Sequence, residues 1–71
     1  MKDETRQILL KAIDELSEKE RLIILYRFGL DRGIKKTQKE LADEINMSQA
    51  NVSKIQEKAL KKLKVILKKY L

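Results

Sequence analysis

The chain has no cysteine and no histidine among its 71 residues. Without thiols no disulfide staples the fold, and cysteine usage carries no information on redox compartment. Together the two absences exclude Cys/His zinc sites and histidine-based acid–base catalysis. Proline is missing too, so nothing forces a break in a helix. No internal repeat is visible. No apolar run approaches the roughly 18 residues of a membrane span. The opening Met1-Lys2-Asp3-Glu4 lacks the apolar stretch of a signal peptide, so a cytoplasmic setting is expected. There is no Gly-rich phosphate loop and no nucleophile–base pair. Asp14, Glu15, Glu18 and Glu20 cluster near a predicted helix junction, where carboxylates are ordinarily solvated. The sequence therefore predicts no enzyme, no cofactor and no metal.

What is present is basic charge, placed unevenly. Residues 1–34 hold seven Lys/Arg and seven Asp/Glu and are net neutral. Residues 35–71 hold ten lysines against four acids, which accounts for the whole net charge of +6. A one-sided basic field attracts polyanions and speeds their encounter. The length predicts one domain over residues 1–71 with a small core and a stability of only a few kcal/mol.

Hydrophobic spacing predicts an all-α, four-helix domain. A first helix, about 3–15, starts at Asp3 as its cap and carries Ile8, Leu9, Ala12, Ile13 and Leu16 on one face. Ser17 with Glu20 forms a capping box that opens a second helix, about 18–28. Leu22, Ile23, Leu25, Tyr26 and Phe28 leave that helix only a narrow polar side. Gly29 ends it in the left-handed conformation. Leu30 to Lys36 is a loop pivoting on Gly33. Thr37 with Glu40 repeats the capping box for a third helix, about 37–45. Asn46 sits where a tight turn needs positive φ. Ser48 caps a fourth helix, about 48–69, some 30 Å long.

The third and fourth helices with Asn46-Met47-Ser48 between them form a helix-turn-helix, whose second helix enters the major groove of duplex DNA. Val52, Ile55 and Ala59 face inward. Gln49, Ala50, Asn51, Ser53, Lys54 and Lys58 then lie on the opposite side. Gln and Asn can pair bidentately with adenine, lysine can donate to guanine, and the Ala50 methyl can touch a thymine methyl. Gln49, Ala50, Asn51, Ser53 and Lys54 are the candidate base contacts. Lys58 and Lys61, further along, are candidate phosphate contacts. Lys62, Lys64, Lys68 and Lys69 read as a diffuse field. Leu16, Leu22, Leu25 and Phe28 exceed what two short helices need for a private core. They read either as core or as a groove that grips a partner helix.

Four ordered blocks carry a family resemblance. They are Tyr26-Arg27-Phe28-Gly29-Leu30-Asp31, Thr37-Gln38-Lys39-Glu40-Leu41-Ala42, the stretch from Met47 to Ile55, and Lys58-Ala59-Leu60-Lys61-Lys62-Leu63. From about Leu16 to Leu63 the chain resembles region 4 of bacterial sigma factors, the C-terminal domain of the RNA polymerase specificity subunit. The wording is closer to sporulation and stress sigma factors than to housekeeping ones. The resemblance implies reading of the −35 promoter element while docked on the flap of the polymerase β subunit. It adds Thr37, Gln38, Lys19 and Arg27 as phosphate contacts, and makes the flap helix the partner of the Leu16, Leu22, Leu25 and Phe28 groove. An anti-sigma factor is a further implied partner. Asn46 stands where relatives often have glycine. Gln49, Ala50, Ser53 and Lys54 replace charged reading residues of housekeeping members, so a different DNA sequence is expected. The chain is too short to melt promoter DNA, and is expected to be a fragment or a small protein that borrows that function.

Two other readings fit parts of the chain. A free-standing regulator could dimerise through Leu60, Leu63, Leu67 and Tyr70, within the segment 60–71. Residues 54–71 alone could form a basic amphipathic module for membranes or acidic proteins, but the capped helix-turn-helix upstream would then have no purpose. Monomeric DNA binding without a membrane partner is the expectation.

Overall fold

A computed structural model describes residues 3–30 and 32–70. Over these residues four helices, α1 (Asp3–Asp14), α2 (Glu18–Phe28), α3 (Gln38–Glu44) and α4 (Gln49–Leu67), follow in that order. Among the described residues there is no strand, as expected for an all-α chain.

The helix starts are fixed by local side-chain chemistry. Ser17 Oγ accepts from the Glu20 N–H at 3.3 Å, and the Ser17 N–H donates to Glu20 Oε1 at 3.0 Å. Thr37 and Glu40 make the same reciprocal pair at 3.1 and 3.0 Å. Each box satisfies two N–H groups that the first turn would otherwise leave without partners. Asp3 falls inside α1 as a first-turn acid, so it does not cap the helix, as the sequence had suggested. There it complements the helix dipole. α4 ends at Leu67 rather than near Lys69. Beyond it the backbone tightens to three-residue bonds, Lys69 N–H to Ile66 O and Tyr70 N–H to Leu67 O, both at 3.0 Å.

Two apolar clusters hold the helices together. Ala12, Ile13, Leu16, Ile24, Ala59 and Leu63 join α1, α2 and the far half of α4. Ile23, Leu41, Ala42 and Val52 join α2, α3 and the near half of α4, with Tyr26, Ile45, Met47 and Ile55 packed around them. Adjacent residues Ile23 and Ile24 point into different clusters, so α2 is the element common to both. The turn between α3 and α4 closes on Asn46 at φ 55°. Its left-handed conformation lets the Met47 N–H reach the Ala42 carbonyl at 2.9 Å, the bond pattern of a left-handed helix stop.

The proposed dimer seam is committed inside the chain in part, while Leu60 stays 41% exposed. Leu63 is buried, Leu67 packs on the first cluster, and the Tyr70 hydroxyl donates to Glu15 Oε2 at 2.8 Å. Leu71 lies outside the described residues. On the apolar side of α4, Val52, Ala59 and Leu63 are buried against the other helices, while Leu60 and Val65 stay exposed. No helix among the described residues is long and apolar enough to cross a membrane.

Candidate nucleic-acid interface

Ser48 sets the start of α4. Its backbone is extended (φ −73°, ψ 151°), and its Oγ accepts from the Asn51 N–H at 3.1 Å. Gln49, Ala50 and Asn51 form the first turn and are exposed, as are Lys54 and Lys58, while Ser53 is half-buried. Val52 and Ala59 are fully buried. The helix thus packs one side into the two clusters, Val52 in the second and Ala59 in the first, and leaves the other open over about 14 Å from Gln49 to Lys58. All five candidate base contacts are brought onto this one helix. Gln49 and Asn51 flank the open side, with Ala50 and Lys54 between them, and together they offer an amide, a methyl and an ammonium of the kinds that read base edges.

The candidate phosphate contacts divide into three groups. Lys19 and Lys58, far apart in sequence, line one shallow hollow of about 260 Å³ with Ser17, Glu20, Ile55 and Lys62. Lys61 is exposed one turn beyond Lys58. Thr37 is exposed at the N-terminus of α3, and its hydroxyl retains a proton to donate while accepting from Glu40. Arg27 and Gln38 differ from these. Arg27 Nε donates to Gln56 Oε1 at 3.1 Å and its Nη1 to the Lys36 carbonyl at 3.0 Å. Gln38 Nε2 donates to the same Gln56 oxygen at 3.2 Å. Both are half-buried struts as well as candidate contacts.

Lys36 ties the connector to α3. Its ammonium bonds both Glu44 oxygens at 2.7 Å and lies 4.9 Å from the Tyr26 ring centroid. The Glu44 bond, opposed by desolvation, raises its pKa above the usual lysine range. Among the described residues no group of three or more acidic side chains is arranged to hold a metal ion.

The four residues assigned to a partner groove do not share one. Leu16 is 6% exposed and belongs to the first core cluster, where residues of α1, α2 and α4 meet. Leu22 and Leu25 line a hollow of about 480 Å³ with Glu18, Lys19, Arg21 and Ile45. Phe28 lines a different one of about 420 Å³, whose walls are Leu9, Ile24, Leu30, Leu60, Leu63, Lys64 and Leu67. Phe28 and Leu60 remain 42% and 41% exposed at its rim. This second groove is almost wholly apolar and runs between α1, the end of α2 and α4.

Sequence reasoning missed Gln56, Lys36 and the Glu20–Lys62 pair. Gln56 had a faint signal: a polar residue one turn after buried Val52, at the margin of the inward stripe. Lys36 and Lys62 had none, since lysine in a basic segment reads as solvated.

The model of the sigma-70 region 4 family matches residues 12–65. The RNA polymerase sigma-E factor of Clostridium acetobutylicum is 39% identical over 66 residues, 93% of this chain and 28% of that protein. The sigma-K factor of Bacillus subtilis is 45% identical over 51 residues, 72% of this chain and 17% of the relative. The sigma-F factor of Bacillus licheniformis is 43% identical over 56 residues, 79% and 20% of the two chains. The chain thus spans well under a third of these relatives. No solved structure gives a significant match. On the family match and these identities, the chain belongs to the sigma-70 region 4 family.

Proposed function

We propose that residues 1–71 act as one unit that reads duplex DNA through the first turns of α4, as the part of a sigma factor that recognises the −35 promoter element. The observation that carries this reading is the open face of α4. Gln49, Ala50, Asn51 and Lys54 are all exposed on one capped helix, in a chain of this family. Gln49, Asn51 and Lys54 supply donors and acceptors for base edges, with Ala50 and Ser53 beside them. Lys19, Lys58, Lys61 and Thr37 hold the phosphates on either side, and Arg27 and Gln38 join them through their free donors. The domain has no catalytic role in this reading; it works in the cytoplasm by binding alone.

The polymerase partner docks in the groove rimmed by Phe28 and Leu60. An apolar channel of that kind suits the apolar face of one helix. Family membership supports the flap of the β subunit as that helix. An anti-sigma factor would compete for the same groove.

Selection of bound duplexes from a random pool, with the chain alone and with polymerase core, tests the reading. One asymmetric motif, sharpened by core enzyme, is the expected result. A palindromic motif, or a pool with no enrichment in either condition, rules the reading out. The isolated chain should bind weakly and lose affinity steeply with salt, since few base contacts sit within a large phosphate contribution.

A further inference from the structure

Gln56 lies two residues beyond Lys54, on the side of α4 turned toward α2 and α3. Its Oε1 accepts from Arg27 Nε at 3.1 Å and from Gln38 Nε2 at 3.2 Å. Arg27 Nη1 also holds the Lys36 carbonyl at 3.0 Å, and the Lys36 N–H holds the Tyr26 carbonyl at 2.7 Å. One neutral oxygen therefore links the end of α2, the connector and the first residue of α3 to the recognition helix.

The chemistry of the amide makes this link directional. A carbonyl oxygen has two lone pairs, and two donors use both. The oxygen must face the donors, which turns the amide nitrogen away from them. The apolar seam between α3 and α4, made by Leu41, Ala42 and Val52, has no such direction. Apolar packing sets how close the two helices lie. The hydrogen bonds to Gln56 set how far α4 slides and turns against the N-terminus of α3.

We infer that Gln56 is a positioning residue for DNA reading. It holds the register between the phosphate-facing start of α3, at Thr37 and Gln38, and the base-facing side of α4. The inference rests on the proposed DNA reading. In it, losing the hub leaves the chain able to meet DNA but misaligns base contacts against phosphate contacts.

The test compares binding to the selected duplex with binding to a scrambled one. Gln56→Leu removes the acceptor and should lower that ratio about tenfold, the equivalent of one good base contact. Gln56→Glu keeps an acceptor oxygen and should restore the ratio. Gln38→Leu removes one donor without touching the core, and should also lower the ratio, whereas loss of a phosphate contact alone would weaken both duplexes equally. The Arg27 Nε–H resonance follows the hub without DNA: slowly exchanging in the parent, rapidly exchanging in Gln56→Leu. If the parent discriminates and both leucine variants keep its ratio within about twofold, the positioning role is overturned. The same holds if the variants only lower the unfolding midpoint. A parent chain that discriminates no duplex, with the Arg27 signal protected, instead overturns the DNA reading and this inference with it.

Discussion

The Lys62 ammonium on α4 stands 3.0 Å from each carboxylate oxygen of Glu20 on α2. Glu20 is only 4% exposed, so this is a nearly buried acid with two tasks. One oxygen closes the capping box at the Ser17 N–H. The other, Oε2, has no aligned hydrogen-bond donor among the described residues, so Lys62 stabilises it by charge alone. Burial pushes the Glu20 pKa up, but the Ser17 N–H and the Lys62 ammonium outweigh it and hold the carboxyl below its ordinary value.

Lys62→Met should therefore destabilise the fold, because it leaves a buried charge uncompensated. The cost should be about 1 kcal/mol, less than for a fully buried pair, since the lysine is 45% exposed. Combined with Glu20→Gln, the loss in urea unfolding should be less than additive. The pH dependence follows from the lowered native pKa. The stabilisation is present above the unfolded value near 4.5 and is lost as pH falls through the native one. Glu15, held down by Tyr70 and Lys69, and Glu40, held down by Thr37, act in the same direction. The acid side of the stability curve should be shallower in Glu20→Gln than in the parent; parallel curves would refute the assignment.

The two leucine hollows make separable predictions. Phe28→Ser and Leu60→Ser change residues at the rim of the apolar groove, and should cost about 1 kcal/mol or less in stability. Both should weaken capture of the chain by purified polymerase core. Leu22→Ser and Leu25→Ser lie in the other hollow and should leave capture intact. Leu16→Ala empties a core site and should lose about 2–5 kcal/mol of stability. If the Leu22 and Leu25 variants weaken capture as Phe28→Ser does, the groove has been placed on the wrong side of α2.

What was legible in the sequence was local. Ser17–Glu20 and Thr37–Glu40 sit three residues apart, and each pair forms within one turn whatever the rest of the chain does. The α1 stripe and the buried Val52 and Ala59 followed from spacing alone, and so did the open side of α4. What was not legible depends on closure between distant segments. Glu20 meets Lys62, Glu15 meets Tyr70, and Gln56 collects Arg27 and Gln38, and no spacing rule links such pairs. The partner groove failed for a related reason. Periodicity marks Leu16, Leu22, Leu25 and Phe28 as apolar, but the packing of three helices buries the first and leaves the last exposed.

Lys54 and Lys58 should behave differently on DNA. Lys54 stands among the exposed side chains of the first two turns, so Lys54→Ala should change preference at one base position, by about 1–3 kcal/mol. Lys58 shares its hollow with Lys19. Lys58→Ala should weaken every duplex alike and reduce the salt slope by about 1. Competition binding on a duplex panel at several salt concentrations reads both. Identical profiles for the two variants would show that base and phosphate roles have been assigned wrongly.

Among the described residues, two that are not glycine hold left-handed backbone, Asn46 at φ 55° and Arg32 at φ 56°. Asparagine tolerates this region through local hydrogen bonding, so Asn46 was readable as a turn residue. Arginine has no such aid, and nothing in its side chain announced the conformation. The left-handed region costs an ordinary residue roughly 1–2 kcal/mol, while glycine gives back about 0.5–1 kcal/mol through the greater freedom of its unfolded chain. The first effect is larger, so Arg32→Gly should raise stability by about 0.5 kcal/mol. Asn46→Ala should lose about 1 kcal/mol by the same reasoning, and Asn46→Gly should be near neutral. Urea unfolding of the three variants measures all of this. A destabilised Arg32→Gly would mean that the Arg32 side chain makes a contact worth more than the strain it carries.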